Sequence, residues 1–101
     1  MRFLLKVTPS AESFNQHIQD GSAEKRMQAI LAETKPEAAY FTAINGSRTA
    51  FLIVNMNEVS EMPALAEPWF LQFNAQVEIY PVMLGEDLAK SNLSGIANKW
   101  K

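Results

Sequence analysis

The 101-residue chain contains no cysteine and a single histidine. The first absence removes disulfides, thiolate catalysis and Cys-ligated zinc or iron–sulfur centres from consideration. The second rules out a multi-histidine metal site within one chain. Charge of one sign is also in short supply. The formal balance is −2, and the nine basic residues, Lys6, Arg26, Lys35, Arg48 and Lys90 among them, are scattered along the sequence. Nucleic-acid binding draws on a basic patch that releases counterions from phosphate, and none is visible. No run approaches the ~18 apolar residues of a membrane span. Met1 to Val7 is apolar but interrupted by Lys6 and followed by no small-residue cleavage site, so it reads as a strand rather than a signal peptide. Phosphate-binding glycine loops, dinucleotide fingerprints and nucleophile elbows are missing as well. These absences lead us to expect a cytoplasmic protein with no nucleic-acid or membrane partner.

What is present is an ordinary globular balance, 48% hydrophobic and 20% charged, far from the profile of a disordered chain. At this length one domain is expected over 1–101, burying roughly two-thirds of its unfolded surface. Residues 84–101 would form a C-terminal extension or arm.

Arg2 to Val7 has the composition of a buried central strand, and Thr8-Pro9-Ser10 signals a helix start with Thr8 as cap. Phe14 and Ile18 then share a helical face. Asp20-Gly21 breaks the helix, Ser22 caps a second segment with Met27, Ile30 and Leu31 at helical spacing, and Lys35-Pro36 ends it. Ala38 to Ile44 and Thr49 to Met56 are β-prone runs separated by Asn45-Gly46, which suits the positive φ angles of a type I′ hairpin turn. Met62, Leu65, Ala66, Trp69, Phe70 and Phe73 form one stripe of an amphipathic helix capped by Ser60, with Pro68 expected to kink or divide it. Gln76 to Met83 alternates as a last strand, its proline suggesting an edge. Glu86 to Lys90 reads as a short helix, and the remaining tail is polar with Leu93, Ile96 and Trp100 interspersed.

The order β-α-β-β-α-β is that of the ferredoxin-like split βαβ motif, an α+β fold whose four-stranded antiparallel sheet carries its helices on one face. A two-residue loop at Asn45-Gly46 sets Tyr40 opposite Phe51 and Thr42 opposite Thr49. Ala39, Phe41, Ala43, Arg48, Ala50, Leu52, Val54 and Met56 should then meet the helices, together with Phe3, Leu5, Val7, Val77 and Ile79. The free face is left with Leu4, Lys6, Tyr40, Thr42, Thr49, Phe51, Ile53, Asn55, Glu78 and Tyr80. This set is too apolar for a solvated sheet and too polar for a dry core. A second copy covering it as a homodimer, around a small cavity, is the expectation.

This order over residues 2 to 83, the half-apolar free face and the extra C-terminal segment resemble the dimeric α/β-barrel superfamily, whose subunits pair sheet to sheet. The stretch Ile44 to Tyr80, with Pro63-Ala64-Leu65-Ala66-Glu67-Pro68-Trp69-Phe70 at its centre, is similar to small bacterial proteins of that shape. The resemblance implies fold and assembly, not activity: the superfamily holds cofactor-free monooxygenases, haem-dependent enzymes, isomerases and proteins with no assigned reaction. Haem-dependent members place an axial histidine near the sheet cavity. His17 falls instead on the helix layer and matches no such motif, so no cofactor is implied.

Each candidate site residue has two readings. Lys6 and Glu78 are expected as cross-strand neighbours, either a catalytic pair in which burial raises the Glu78 pKa so that it accepts a proton, or a structural ion pair of the interface. Tyr40 and Tyr80 either orient an aromatic or quinone-like ligand, with Phe51 beneath, or anchor the interface. Asn55 either polarises a carbonyl or ends its strand. Three functions follow from these readings. The chain is a dimer binding a compact, mostly apolar ligand between sheet and partner, a cofactor-independent isomerase or monooxygenase-like enzyme, or an interaction or regulatory subunit working through its arm.

Overall fold

The computed structural model describes residues 1–101. Strand β1 (Arg2–Thr8) leads through helices α1 (Ala11–Asp20) and α2 (Ala23–Thr34) to the hairpin β2 (Ala38–Ile44) and β3 (Ser47–Asn55). A single 3₁₀ turn (Val59–Glu61) opens helix α3 (Met62–Phe73), which is followed by β4 (Gln76–Pro81) and two short helices, α4 (Gly85–Ala89) and α5 (Leu93–Lys99). The sheet order is β2-β3-β1-β4, antiparallel throughout. Pro81 closes an edge strand, where its missing N–H breaks no ladder. No helix is long and apolar enough to cross a membrane.

Asn45 and Gly46 both take positive φ, 52° and 77°, as a type I′ turn requires. The turn sets the register Tyr40 to Phe51 and Thr42 to Thr49 that alternation predicts. On the helix side Phe3, Leu5, Val7, Ala50, Leu52, Val54 and Met56 join Ile30, Trp69 and Phe73 in one core. Phe73 is its hub. It stacks on Phe14 at 5.1 Å between ring centroids, lies 6.0 Å from Trp69 and receives the edge of His17 at 5.8 Å.

Several local expectations need correction. Thr8 stays in β1 and Ser10 caps α1, its hydroxyl accepting from the Ser13 N–H at 3.0 Å, because the chain leaves the sheet two residues later than the Thr-Pro signal suggests. Ser22 occupies the cap position of α2 without a side-chain capping bond, since its hydroxyl takes the Arg26 Nε–H instead. Ser60 caps nothing. Glu61 accepts the backbone N–H groups of Asn57 and Glu58, so a carboxylate does the work expected of a hydroxyl. Pro68 does not divide α3, which runs unbroken from Met62 to Phe73. An interior proline costs about 3 kcal/mol, while burying a large apolar side chain contributes roughly 1.5–3 kcal/mol, and both Trp69 and Phe73 are fully buried on this helix. Packing therefore outweighs the proline.

Two faces also differ from the alternation. Phe70, part of the expected stripe, is 41% exposed, and Phe41, assigned to the helix side, is 55% exposed. The helical layer stops short of β2, so of that strand only Ala39 packs against the core. Thr49, assigned to the free face, is buried, with its hydroxyl donating to the Ser47 carbonyl.

Phe73→Ala should destabilise the fold by about 3–5 kcal/mol, as removal of a fully enclosed ring from a rigid core does. Urea unfolding measures the change. A loss below about 1 kcal/mol would show that Phe14, His17 and Trp69 collapse into the space and that Phe73 is no hub.

Candidate functional site

The pleat of β1 decides which groups meet on the open side of the sheet. Its even-numbered residues Arg2, Leu4 and Lys6 point away from the helices, and its two neighbours set their partners. Across the sheet this produces rows: Tyr40, Phe51, Lys6 and Glu78 in one, and Ala38, Ile53, Leu4 and Tyr80 in the next. Phe51, Ile53 and Leu4 are half-buried and form an apolar floor, while Tyr40 stands 63% exposed and Tyr80 45%.

The polar groups of these rows are linked. The Tyr80 hydroxyl donates to Glu78 Oε1 at 2.5 Å, and the Lys6 ammonium stands 3.6 Å from Glu78 Oε2. The carboxyl thus faces a phenol on one side and a cation on the other. It is held below the ordinary carboxylate range, chiefly by the Tyr80 hydrogen bond and further by the charge of Lys6. The Tyr80 phenol is pushed above its usual value chiefly by the hydrogen bond it donates to Glu78, which needs the proton in place, then by desolvation and by the charge of that carboxylate. For Glu78 the direction is opposite to the one expected of a carboxyl raised by burial. In the single chain its side chain is half exposed, so desolvation is too weak to oppose the two partners.

The next row holds a second polar set that the sequence pattern does not single out. Asn55 lies opposite Arg2, and Glu37, just ahead of β2, binds both: Arg2 Nε to Glu37 Oε2 at 3.0 Å, and the Asn55 amide to Glu37 Oε1. Asn55 donation, followed by that of Arg2, lowers the Glu37 pKa. The signal for this set is the facing of Arg2 and Asn55 across β1 and β3, which requires the register of strands that are distant in sequence. Beside this set lies a recess of about 570 Å³, lined by Arg2, Asn55, Val82, Met83 and Asp87 among others, where the chain turns out of β4 toward α4.

The structure therefore brings Lys6, Glu78, Tyr80 and Phe51 into one patch, with Tyr40 at its β2 edge, and sets Asn55 at the far end by the recess. His17 stays apart. It closes α1 with Nδ1 3.5 Å from Asp20 Oδ2 and its ring against Phe73, in the helix layer. No three or more His, Asp and Glu side chains converge in a way that would hold a metal ion.

The two shifts have opposite consequences for stability. A carboxyl held low contributes stability that is present above its unfolded value and lost as pH falls through the folded one. A phenol held high contributes stability that is lost as pH rises through its folded value. A ¹³C NMR titration should find the Glu78 carboxyl inflecting below the ordinary 4.5, and Tyr80→Phe should move that inflection upward. An inflection that does not respond to the substitution would mean that the phenol is not its donor.

No protein-family model matches the chain, and no curated protein matches it in sequence. Among solved structures its fold is similar to that of 5-chloro-2-hydroxyhydroquinone dehydrochlorinase (TftG) from Burkholderia phenoliruptrix AC1100, determined in complex with 2,5-dihydroxybenzoquinone. The TM-score is 0.58 and the identity 20%, over 86% of this chain and 98% of that one. At this identity the likeness shows the fold alone: an α+β, ferredoxin-like four-stranded antiparallel sheet with helices.

Proposed function

We propose that the chain works as a homodimer whose subunits pair through the free sheet face and hold a compact, flat aromatic ligand of the hydroxylated-quinone kind between them. The observation that carries this reading is the linked set Lys6, Glu78 and Tyr80 standing at the edge of the apolar floor of Leu4, Phe51 and Ile53. A flat ring stacks on such a floor, and its oxygens need one cationic donor and one acceptor at the rim. The ammonium suits a quinone or enolate oxygen, and the carboxylate accepts from a ring hydroxyl. The solved structure of similar fold holds a dihydroxybenzoquinone, which is a ligand of this description.

Binding is favoured over proton abstraction by the state of Glu78. A carboxylate stabilised by a phenol and an ammonium is a good acceptor but a weakened base. The isomerase or monooxygenase-like reading requires the reverse shift.

Light scattering on a size-exclusion column should find the native chain as a dimer and Phe51→Glu as a folded monomer. Titration calorimetry with 2,5-dihydroxybenzoquinone as probe should then show binding to the native protein that Lys6→Met or Tyr80→Phe weakens at least tenfold. A native monomer, or a dimer indifferent to Phe51→Glu, would overturn the pairing. A dimer that does not bind the probe would overturn the ligand class alone.

A further inference from the structure

The chain exposes 7107 Å² of accessible surface, whereas a compact monomer of 11.3 kDa exposes about 5,700 Å². Its radius of gyration is 17.1 Å, against about 13 Å for a compact domain of this length. The C-terminal arm makes much of this difference. Helices α4 and α5 bury none of their residues, and together with the cap residues Leu84 and Trp100 they present Leu84 at 40%, Leu88 at 43%, Leu93 at 57%, Ile96 at 48% and Trp100 at 80% exposure. The apolar residues recur at 84 and 88 and at 93, 96 and 100, one face for each helix. Helices of five and seven residues are too short to persist alone in water. Their apolar faces must be held by a surface that the arm does not find on its own chain.

Besides the free sheet face, a further apolar surface of the molecule is left open. Beyond the helical layer at the β2 edge, two adjoining cavities of about 140 and 340 Å³ share Phe14, Met27 and the exposed Phe41. The rim carries Arg48 at one cavity and Glu24 at the other. The arm has the complementary polarity, acidic at its start with Glu86 and Asp87 and basic at its end with Lys99 and Lys101.

We propose that the arm of one copy docks in the Phe14–Met27–Phe41 notch of a second copy, reciprocally. The arm leaves β4, the notch borders β2, and these strands are the opposite edges of the sheet. When two such sheets face each other about a two-fold axis running along the strands, the β4 edge of each lies over the β2 edge of the other, so each arm starts beside the strand that borders the other's notch and reaches it by folding round that edge to the helix side. Area argues the same way. Four strands spaced about 4.8 Å apart and about 20 Å long offer a footprint of roughly 400 Å². That is about half of the ~800 Å² a stable interface takes from each partner. The surface in excess of a compact monomer, about 1,400 Å², is ample for sheet and arm together. The inference rests on the sheet-paired dimer proposed above for its geometry, but the arm contact is tested separately.

Because the chain has no cysteine, Ile96→Cys provides a single attachment point for a benzophenone photocross-linker. Irradiation of the full-length protein should produce a covalent dimer whose cross-linked peptide contains Phe41. Trp100→Ala and Phe41→Ala, both at exposed positions, should each weaken dimerisation at least tenfold in sedimentation equilibrium, with the double variant no more than about threefold worse than either single. Cross-linking only within one chain, cross-linking to a peptide remote from Phe41, or additive effects of the two substitutions would each overturn the proposal. If Phe51→Glu leaves the dimer intact while Trp100→Ala dissociates it, the arm contact stands and the sheet pairing falls. If the dimer is lost with Phe51→Glu but unaffected by Trp100→Ala, the sheet pairing stands and the arm contact falls.

Discussion

Every feature of the site depends on the register of β1. It is a central strand, with β3 on one side and β4 on the other, and its side chains alternate strictly between the core and the open face. A slip of one residue would carry Phe3, Leu5 and Val7 out of the core and Lys6 into it. Three large apolar side chains at roughly 1.5–3 kcal/mol each oppose that exchange, as does the cost of an unpaired buried ammonium. The same alternation that holds the core therefore sets Lys6 opposite Glu78 and Leu4 opposite Tyr80. The polar set needs no separate device to position it.

This dependence explains how much can be read from the residues alone. Asn45-Gly46 announces its own turn, and the turn fixes the hairpin register, so the faces of β2 and β3 are legible from a dipeptide. The facing of Lys6 and Glu78 follows once the topology is assigned. The start of each helix does not: Thr8 and Ser10 are both adequate caps for α1 and the choice between them depends on where the chain leaves the sheet, while Ser22 and Ser60 have the right residue type yet make no capping bond. Phe41 has the correct parity for the core, yet its burial depends on how far the helical layer reaches, which no pattern within β2 encodes. Glu37 escapes notice for a similar reason: its partners Arg2 and Asn55 lie 35 and 18 residues away and meet only across two strands.

His17 illustrates the opposite case, a chemically suggestive residue whose surroundings give it a structural task. Its ring edge rests on Phe73, and its Nδ1 lies near Asp20 and the Ser22 hydroxyl at the break between α1 and α2. Nearby, Arg26 ties Ser22 to Gln72 and so links that break to α3. The helix layer is thus stapled by polar groups at the point where its backbone is interrupted.

A partner over the free face would change the electrostatics of Glu78 without moving an atom of its own chain. Desolvation pushes a carboxyl up, but the attraction of Lys6 at 3.6 Å also strengthens as the surrounding dielectric falls, and the Tyr80 hydrogen bond loses its competition with water. So long as both partners remain, the carboxylate keeps its charge on being covered. In the complex proposed above, a ligand oxygen that engages Lys6 would weaken one of the two supports, and a ring hydroxyl donating to Glu78 would replace it. A covered face of this composition would therefore keep Glu78 a charged acceptor, as the binding reading requires.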